Sequence, residues 1–99
     1  MEAVAGILNR LLARLGLVDE LHGWRAVEEW ARIVGPRVAR HTRALSFYHG
    51  VLRVEVDGSA WRHELSYLER ELVRRLNREL GADPVRAVQW VVPRRGVWT

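Results

Sequence analysis

The sequence predicts an α+β domain of two layers, in which helices cover one face of a three-stranded sheet. Residues 44–56 alternate apolar and polar side chains around His49-Gly50, which is typical of a β-hairpin. Residues 60–80 carry leucines at helical spacing, which predicts a long amphipathic helix. A β-branched run at 85–92 follows this helix, and a helix between two strands of one sheet makes a β–α–β crossover.

Two helices are predicted ahead of the hairpin. Residues 3–15 repeat apolar side chains three and four positions apart, which gives one wide apolar stripe. Gly16 is suited to end this helix. A second helix is expected to open at Asp19 or Glu20, because acidic side chains stabilise the positive end of a helix. Its predicted buried face carries Leu21, Trp24, Val27, Trp30 or Ala31, and Val34.

A short third helix is predicted to lead into the hairpin. It covers Pro36 to His41, because proline fits the first turn of a helix. The hairpin strands are expected at about 44–48 and 51–56, with one buried side and one wet side. The residues expected on the buried side are Leu45, Phe47, Leu52, Val54 and Val56.

The longest helix is predicted to follow the hairpin. Ser59 is a suitable N-cap for a helix over about 60–80, and Gly81 is suited to end it. The third strand, about 85–92, can pair with either hairpin strand on this information. The leucine-rich face expected to pack on the sheet carries Trp61, Leu65, Leu68, Leu72, Leu76 and Leu80.

The 99 residues are predicted to form a single domain. Its core is expected at about 20–92, with the first helix at 3–15 and a short tail at 93–99. No apolar run approaches the ~18–20 residues that a membrane span requires. The first residues lack the basic start of a signal peptide, so the expected location is the cytoplasm, with no membrane partner.

Several site chemistries find no support in the sequence. There is no cysteine, which excludes disulfides and thiolate zinc sites, and the four histidines show no HxxxH spacing. Neither a glycine-rich phosphate loop nor a Gly-x-Ser-x-Gly nucleophile turn is present. The sequence therefore predicts a protein that is not an enzyme and binds no metal or cofactor.

The net charge is +4, and all sixteen basic residues are arginine, which is suited to bidentate phosphate contacts. A charge of this size permits nucleic-acid binding without requiring it. On the long helix, 100° per residue brings three arginines one turn apart together with a histidine and a tyrosine, a pairing suited to phosphates and unstacked bases. An ordinary solvated helix face explains the same pattern. The candidate residues are His63, Tyr67, Arg70, Arg74 and Arg78.

A second basic group surrounds the short helix. Arg32 precedes this helix, and three further arginines lie in it or just after it. They are interpreted either as nucleic-acid contacts or as side chains that solubilise an exposed corner. The candidate contacts in this corner are Arg37, Arg40 and Arg43.

Landmarks spread over residues 21–90 resemble the DciA-like family of bacterial proteins, formerly a domain of unknown function, which includes loaders of the replicative DnaB-type helicase. These landmarks are mostly packing and turn residues. They are Trp30, Ile33-Val34-Gly35, Ala39-Arg40-His41-Thr42, the segment 50–56, Ser59-Ala60-Trp61, Glu64-Leu65, Leu72, Leu76-Asn77, Leu80-Gly81, Val85 and Val88.

This resemblance implies a KH-like domain that interacts with the replicative helicase and binds single-stranded or forked DNA. The sequence lacks the Gly-x-x-Gly clamp of nucleic-acid-binding KH domains, so any contact is expected to use another surface. Two alternatives stay open. One is an RNA-binding KH-like module, and the other is a protein-interaction domain that uses exposed apolar surface such as Trp24 or Trp98.

Overall fold

The computed structural model describes residues 4–93, and over this range helices pack on one face of a three-stranded sheet. The element order is the predicted one, which confirms the α+β fold class. Residues 94–99 of the predicted tail, including Trp98, lie outside the described residues, and so does residue 3 of the predicted first helix. The helices are α1 (Val4–Arg14), α2 (Val18–Val34), α3 (Pro36–Ala39) and α4 (Ser59–Leu80), and the strands are β1 (Thr42–Tyr48), β2 (Val51–Val56) and β3 (Ala87–Val91).

Strand β2 is the centre of the sheet, in the order β1-β2-β3. It pairs antiparallel with β1 through a two-residue turn, in which His49 has φ 46° and Gly50 has φ 87°. Positive φ at both positions is the type I′ geometry whose twist matches a hairpin, so the predicted turn is confirmed. Strand β3 returns parallel to β2 after α4, which settles the pairing that the sequence left open.

A β-bulge in β1 overturns one predicted orientation. The pairing with β2 shifts between Ala44 and Ser46, so Leu45 is the extra residue. Leu45 was expected beside Phe47 on the buried side, but it is 36% exposed while Phe47 is 2% exposed. Thr42 and Ala44 face the core before the bulge. Because the inserted residue shifts the alternation by one position, Phe47 and not Ser46 faces the core after it.

Trp30 lies at the centre of the core and is 2% exposed. Its indole Nε1–H donates a hydrogen bond of 2.8 Å to the Thr42 hydroxyl, which in turn donates one of 2.9 Å to the C=O of Val38. The Trp30 ring also meets Trp90 edge-on, with centroids 6.2 Å apart. These contacts join α2 to α3, β1 and β3, and they satisfy the polar atoms that burial would otherwise leave unpaired.

The buried face of α2 differs from the predicted one. Leu21 and Trp24 are exposed, whereas the helix buries a face that begins at Gly23. The ring of Phe47 lies where a Cβ on Gly23 would be, so the helix and β1 approach each other closely only because this residue is glycine. The buried residues of α2 are Gly23, Ala26, Trp30, Ile33 and Val34.

Several predicted helix bounds and faces also move in the structure. Helix α3 ends at Ala39, and His41 instead lies 2.7 Å from the Asp57 carboxylate and stacks on Trp61. Gly58, rather than Ser59, is the N-cap of α4. Leu68, a predicted core residue of α4, is exposed. The buried positions of the helix are Leu65, Leu72, Leu76 and Leu80.

Strand β3 begins later than predicted, because the Asn77 side chain hydrogen-bonds to the backbone of Val85 ahead of the strand. Asn77 on α4 donates to the C=O of Val85 at 2.9 Å and accepts from its N–H at 3.1 Å. These two bonds satisfy the backbone of Val85 without a neighbouring strand. The ladder with β2 therefore begins at Ala87, and Val85 is buried ahead of it.

Helix α1 buries none of its side chains. The structure leaves most of the predicted apolar stripe in solvent: Ile7 is 54% exposed, Leu8 49% and Leu11 50%, whereas Leu12 is partly buried. The exposed apolar side chains continue through Leu17 to Leu21 and Trp24 on α2. We call this set the apolar surface: Ile7, Leu8, Leu11, Leu17, Leu21 and Trp24.

We expect Thr42→Val to lower the free energy of unfolding by about 1–3 kcal/mol, because it removes the partner of the buried Trp30 indole N–H. Thr42→Ser keeps the hydroxyl and is the matched control, with a cost of about 0.8 kcal/mol for the lost methyl group. Urea denaturation of the two variants measures the difference. Equal destabilisation by both would show that the hydrogen bond contributes nothing.

Gly23→Ala is expected to destabilise the protein, although alanine ordinarily stabilises a helix interior by about 1 kcal/mol relative to glycine. The new methyl group would overlap the buried Phe47 ring, and such overpacking costs about 1–3 kcal/mol. Gly58→Ser is the control, because a Cβ at Gly58 meets no atom within 4 Å and serine is a good N-cap. A higher thermal midpoint for Gly23→Ala would contradict the close approach.

Candidate nucleic-acid interface

Helix α4 carries five candidate residues along its outer side. The helix is continuous over 22 residues, so positions spaced by four, three, four and four lie on one side. All five are exposed, in contrast to the leucines that pack on the sheet. We call this set the α4 stripe: His63, Tyr67, Arg70, Arg74 and Arg78.

The arginines of the α4 stripe keep their charge available to a ligand. Within residues 4–93, the side chains of Arg70, Arg74 and Arg78 take part in no hydrogen bond or ion pair. The neighbouring acid Glu69 points to β3, where its carboxylate accepts the Val88 N–H at 3.2 Å and the Trp90 indole N–H at 3.1 Å. The three exposed guanidinium groups therefore remain available to anions, with the Glu69 carboxylate lining one depression beside them.

Shallow depressions lie beside these arginines. Arg70 and Arg74 line one of about 320 Å³ together with Arg86, which precedes β3. Arg74 and Arg78 line another of about 390 Å³, whose far side includes Asp83. The lining of the first depression therefore combines three arginines, two from α4 and one from the segment before β3, with the acid Glu69.

The start of the α4 stripe is aromatic. His63 and Tyr67 meet edge-on with ring centroids 5.1 Å apart, and Tyr67 is 75% exposed. His63 also lines a depression of about 400 Å³ with Arg62 and Trp90. An exposed ring next to cationic side chains is suited to stack on an unpaired base.

The corner around α3 is less uniform than the sequence suggested. Arg37 and Arg40 are exposed, but Arg43 donates to the Glu55 carboxylate at 2.6 Å across the β1–β2 pair. Arg32 donates to Glu29 at 3.0 Å. The structure therefore leaves Arg37 and Arg40 as the exposed cations of α3 and its end.

The ion pair of Arg32 changes the titration of its partner. The hydrogen bond from the Arg32 guanidinium holds the pKa of the Glu29 carboxyl below its ordinary value, with the Arg32 and Arg25 charges acting in the same direction. The pair raises the pKa of Arg32 in return. Because the folded pKa of Glu29 is lowered, its contribution to stability is present above the unfolded pKa and is lost as the pH falls through the folded pKa.

Residues 3–89 match the family model described as Dna[CI] antecedent, DciA. The chain belongs to the DciA family. The resemblance found in the sequence is therefore confirmed over most of the chain.

Relatives of this DciA-family chain come from actinobacteria. It is 33% identical over 89 residues to a "UPF0232 protein" of Streptomyces avermitilis, which covers 88% of this chain and 49% of the relative. A "UPF0232 protein" of Streptomyces coelicolor is 32% identical over 93 residues, covering 92% of this chain and 49% of the relative. One from Corynebacterium glutamicum is 23% identical over 97 residues, covering 98% and 54%. The chain spans about half the length of these curated relatives.

Sequence reasoning missed one cation that lies beside the α4 stripe. Arg86 lies beside the α4 stripe because the β–α–β crossover returns the chain next to α4. The sequence did not determine this position, since it left open which hairpin strand β3 pairs with. Its guanidinium donates to the C=O of His49 at 2.6 Å and lies over Gly50, where a Cβ would collide with it. The signal available beforehand was an arginine at the start of the predicted third strand.

Two further properties bear on the kind of site. Across the part of the chain that the structure describes, no three His, Cys, Asp or Glu side chains gather as a metal site would require. In that same part, none of the helices combines the length and the apolar character needed to cross a membrane.

Proposed function

We propose that this chain is the DNA-binding, helicase-contacting module of a DciA-family protein and has no catalysis of its own. The observation that supports it best is the row of exposed arginines on α4, with Arg86 beside it. Family membership supports a role with the replicative DnaB-type helicase. Such a role places the protein in the bacterial cytoplasm.

The arginine row suits a nucleic-acid backbone for a physical reason. Consecutive stripe arginines are four residues apart on a helix that rises about 1.5 Å per residue, so their charges follow one another at about 6 Å. Phosphates along one strand repeat at a similar distance, and each contact releases condensed counterions. The exposed Tyr67 adds a stacking surface, which favours single-stranded or forked DNA over a fully paired duplex.

The partner helicase needs a different surface, and the apolar surface of α1 and α2 supplies one. Contiguous exposed apolar side chains are typical of protein interfaces. Leu8 and Leu11 lie on a helix that buries none of its own residues, so an apolar partner would cover them at little conformational cost. We assign this surface to the helicase and the α4 stripe to DNA.

RNA binding is the second candidate function, and the same basic and aromatic groups favour it. Arginine and tyrosine side chains contact phosphates and bases without reading the 2′-hydroxyl. Competition between DNA and RNA strands of one sequence separates the two functions. Preferential binding of the RNA strand would favour the RNA-binding module.

Replacing Arg70 and Arg74 with glutamine is expected to weaken single-stranded DNA binding. The slope of log affinity against log salt should fall by about 1.4, which is about 0.7 for each phosphate that the protein no longer neutralises on a single strand. Fluorescence anisotropy across a salt series measures both quantities. Arg25→Gln is the control, because Arg25 pairs with Glu29 on α2 and lies away from the stripe. Flat salt dependence of the unaltered protein, or no binding at about 50 mM salt, would contradict the proposal.

The double variant Leu8→Ser and Leu11→Ser is expected to reduce capture of the replicative helicase from the same bacterium by about tenfold or more, because truncated apolar anchors lose interface energy. A variant with Arg70, Arg74 and Arg78 changed to glutamate should capture the helicase normally and fail to bind DNA. Pull-down with purified helicase tests both. Failure to capture the helicase only in the glutamate variant would place both partners on one surface.

A further inference from the structure

The face of the sheet opposite the helices carries a second group of chemically suitable side chains. The pairing register places three rows across this outer face: Tyr48–Val51–Ala87, Ser46–Arg53–Gln89 and Arg43–Glu55–Val91. In the third row the acid Glu55 is bonded to Arg43. The first two rows contain no acid.

A depression of about 690 Å³ lies over the two rows without an acid. Arg53 and Arg86 line it, and both are exposed. Ser46 and Gln89 add hydroxyl and amide groups that can donate and accept hydrogen bonds. Its lining therefore offers cations for phosphates and neutral polar groups for base edges, without a carboxylate that would repel them.

Tyr48 provides the aromatic part of this site. It is 71% exposed, and its ring meets His49 edge-on with centroids 4.0 Å apart. Its cross-strand neighbours, Val51 and then Ala87, are small and leave room beside the ring. An exposed aromatic ring on a strand is a platform on which an unpaired base can stack.

Arg86 connects this site to the α4 stripe. It lines both the depression on the outer face and the one that holds Arg70 and Arg74. Its hydrogen bond of 2.6 Å to the C=O of His49 fixes it at the hairpin turn, between the two surfaces. A strand held on the α4 stripe can therefore reach the sheet past Arg86, which also lines a depression with the acids Asp19, Glu20 and Asp83.

We propose that the outer sheet face is a binding site for single-stranded nucleic acid, in which one base stacks on Tyr48 and neighbouring phosphates contact Arg53 and Arg86. This inference rests on the proposed nucleic-acid function and extends it to a second surface. The site selects single strands, because the face of a base is free to stack on a side chain only when the base is out of the duplex.

The first test replaces Tyr48 with alanine and, as a matched control, with phenylalanine. Tyr48→Ala should weaken binding of a thymidine strand of about 12 nucleotides by about 5- to 150-fold, because one base can no longer stack on the ring. Tyr48→Phe keeps the ring and should bind within about twofold of the unaltered protein. Binding of a duplex of equal length should not change, and a uridine strand should be weakened to the same extent as the thymidine strand.

The second test replaces Arg53 with glutamine. The slope of log affinity against log salt for the single strand should fall by about 0.7, the value for one phosphate contact. Arg25→Gln removes the same charge from α2, outside the proposed site, and should leave the slope unchanged. Thermal midpoints of all the variants check that the fold is intact.

The outcomes separate this inference from the proposed function. If the Arg70 and Arg74 variants fail to bind while Tyr48→Ala and Arg53→Gln bind normally, the outer-face site is overturned and the proposed function stands. Equal weakening on duplex and single strand in Tyr48→Ala also overturns the stacking contact. If the unaltered protein binds neither the single strand nor the duplex, the proposed function fails, and the outer-face site fails with it.

Discussion

The arrangement of the domain depends on the burial of Trp30. A tryptophan supplies a large apolar surface, but its indole N–H must find a partner when water is excluded. Thr42 is that partner, and its hydroxyl passes a second hydrogen bond to Val38. Because the relay begins on α2, crosses to β1 and ends on α3, it holds the helical layer in one position on the sheet. The edge-on contact with Trp90 extends the same constraint to β3.

The two sides of helix α4 carry different chemistry. Its leucines cover the sheet, while its arginines face solvent. The acid between them, Glu69, turns to β3 and caps groups at the strand that would otherwise lack partners. The same side chain also lines the depression that Arg70, Arg74 and Arg86 share. One acidic side chain thus secures β3 against α4.

The apolar surface and the basic surfaces lie on different elements. Helix α1 and the start of α2 hold the apolar surface, whereas the α4 stripe, Arg86 and Arg53 of the outer sheet face lie on other parts of the fold. In the proposed division of surfaces, a protein partner and a nucleic acid would contact different elements. Other exposed arginines lie outside the basic surfaces, among them Arg14 on α1, Arg25 on α2, Arg37 and Arg40. Arg32 and Arg43 are engaged by Glu29 and Glu55.

The sequence by itself determined the element order, the two-residue hairpin turn, the side of α4 that carries the arginines, and the family. These features follow from spacing and turn chemistry within a short segment. Only the tertiary structure decided which faces meet. The bulge at Leu45 and the approach of Phe47 to Gly23 set the core faces of β1 and α2, and the pairing of β3 with β2 placed Arg86 beside α4. Those outcomes depend on contacts between residues far apart in the chain, which local periodicity does not encode.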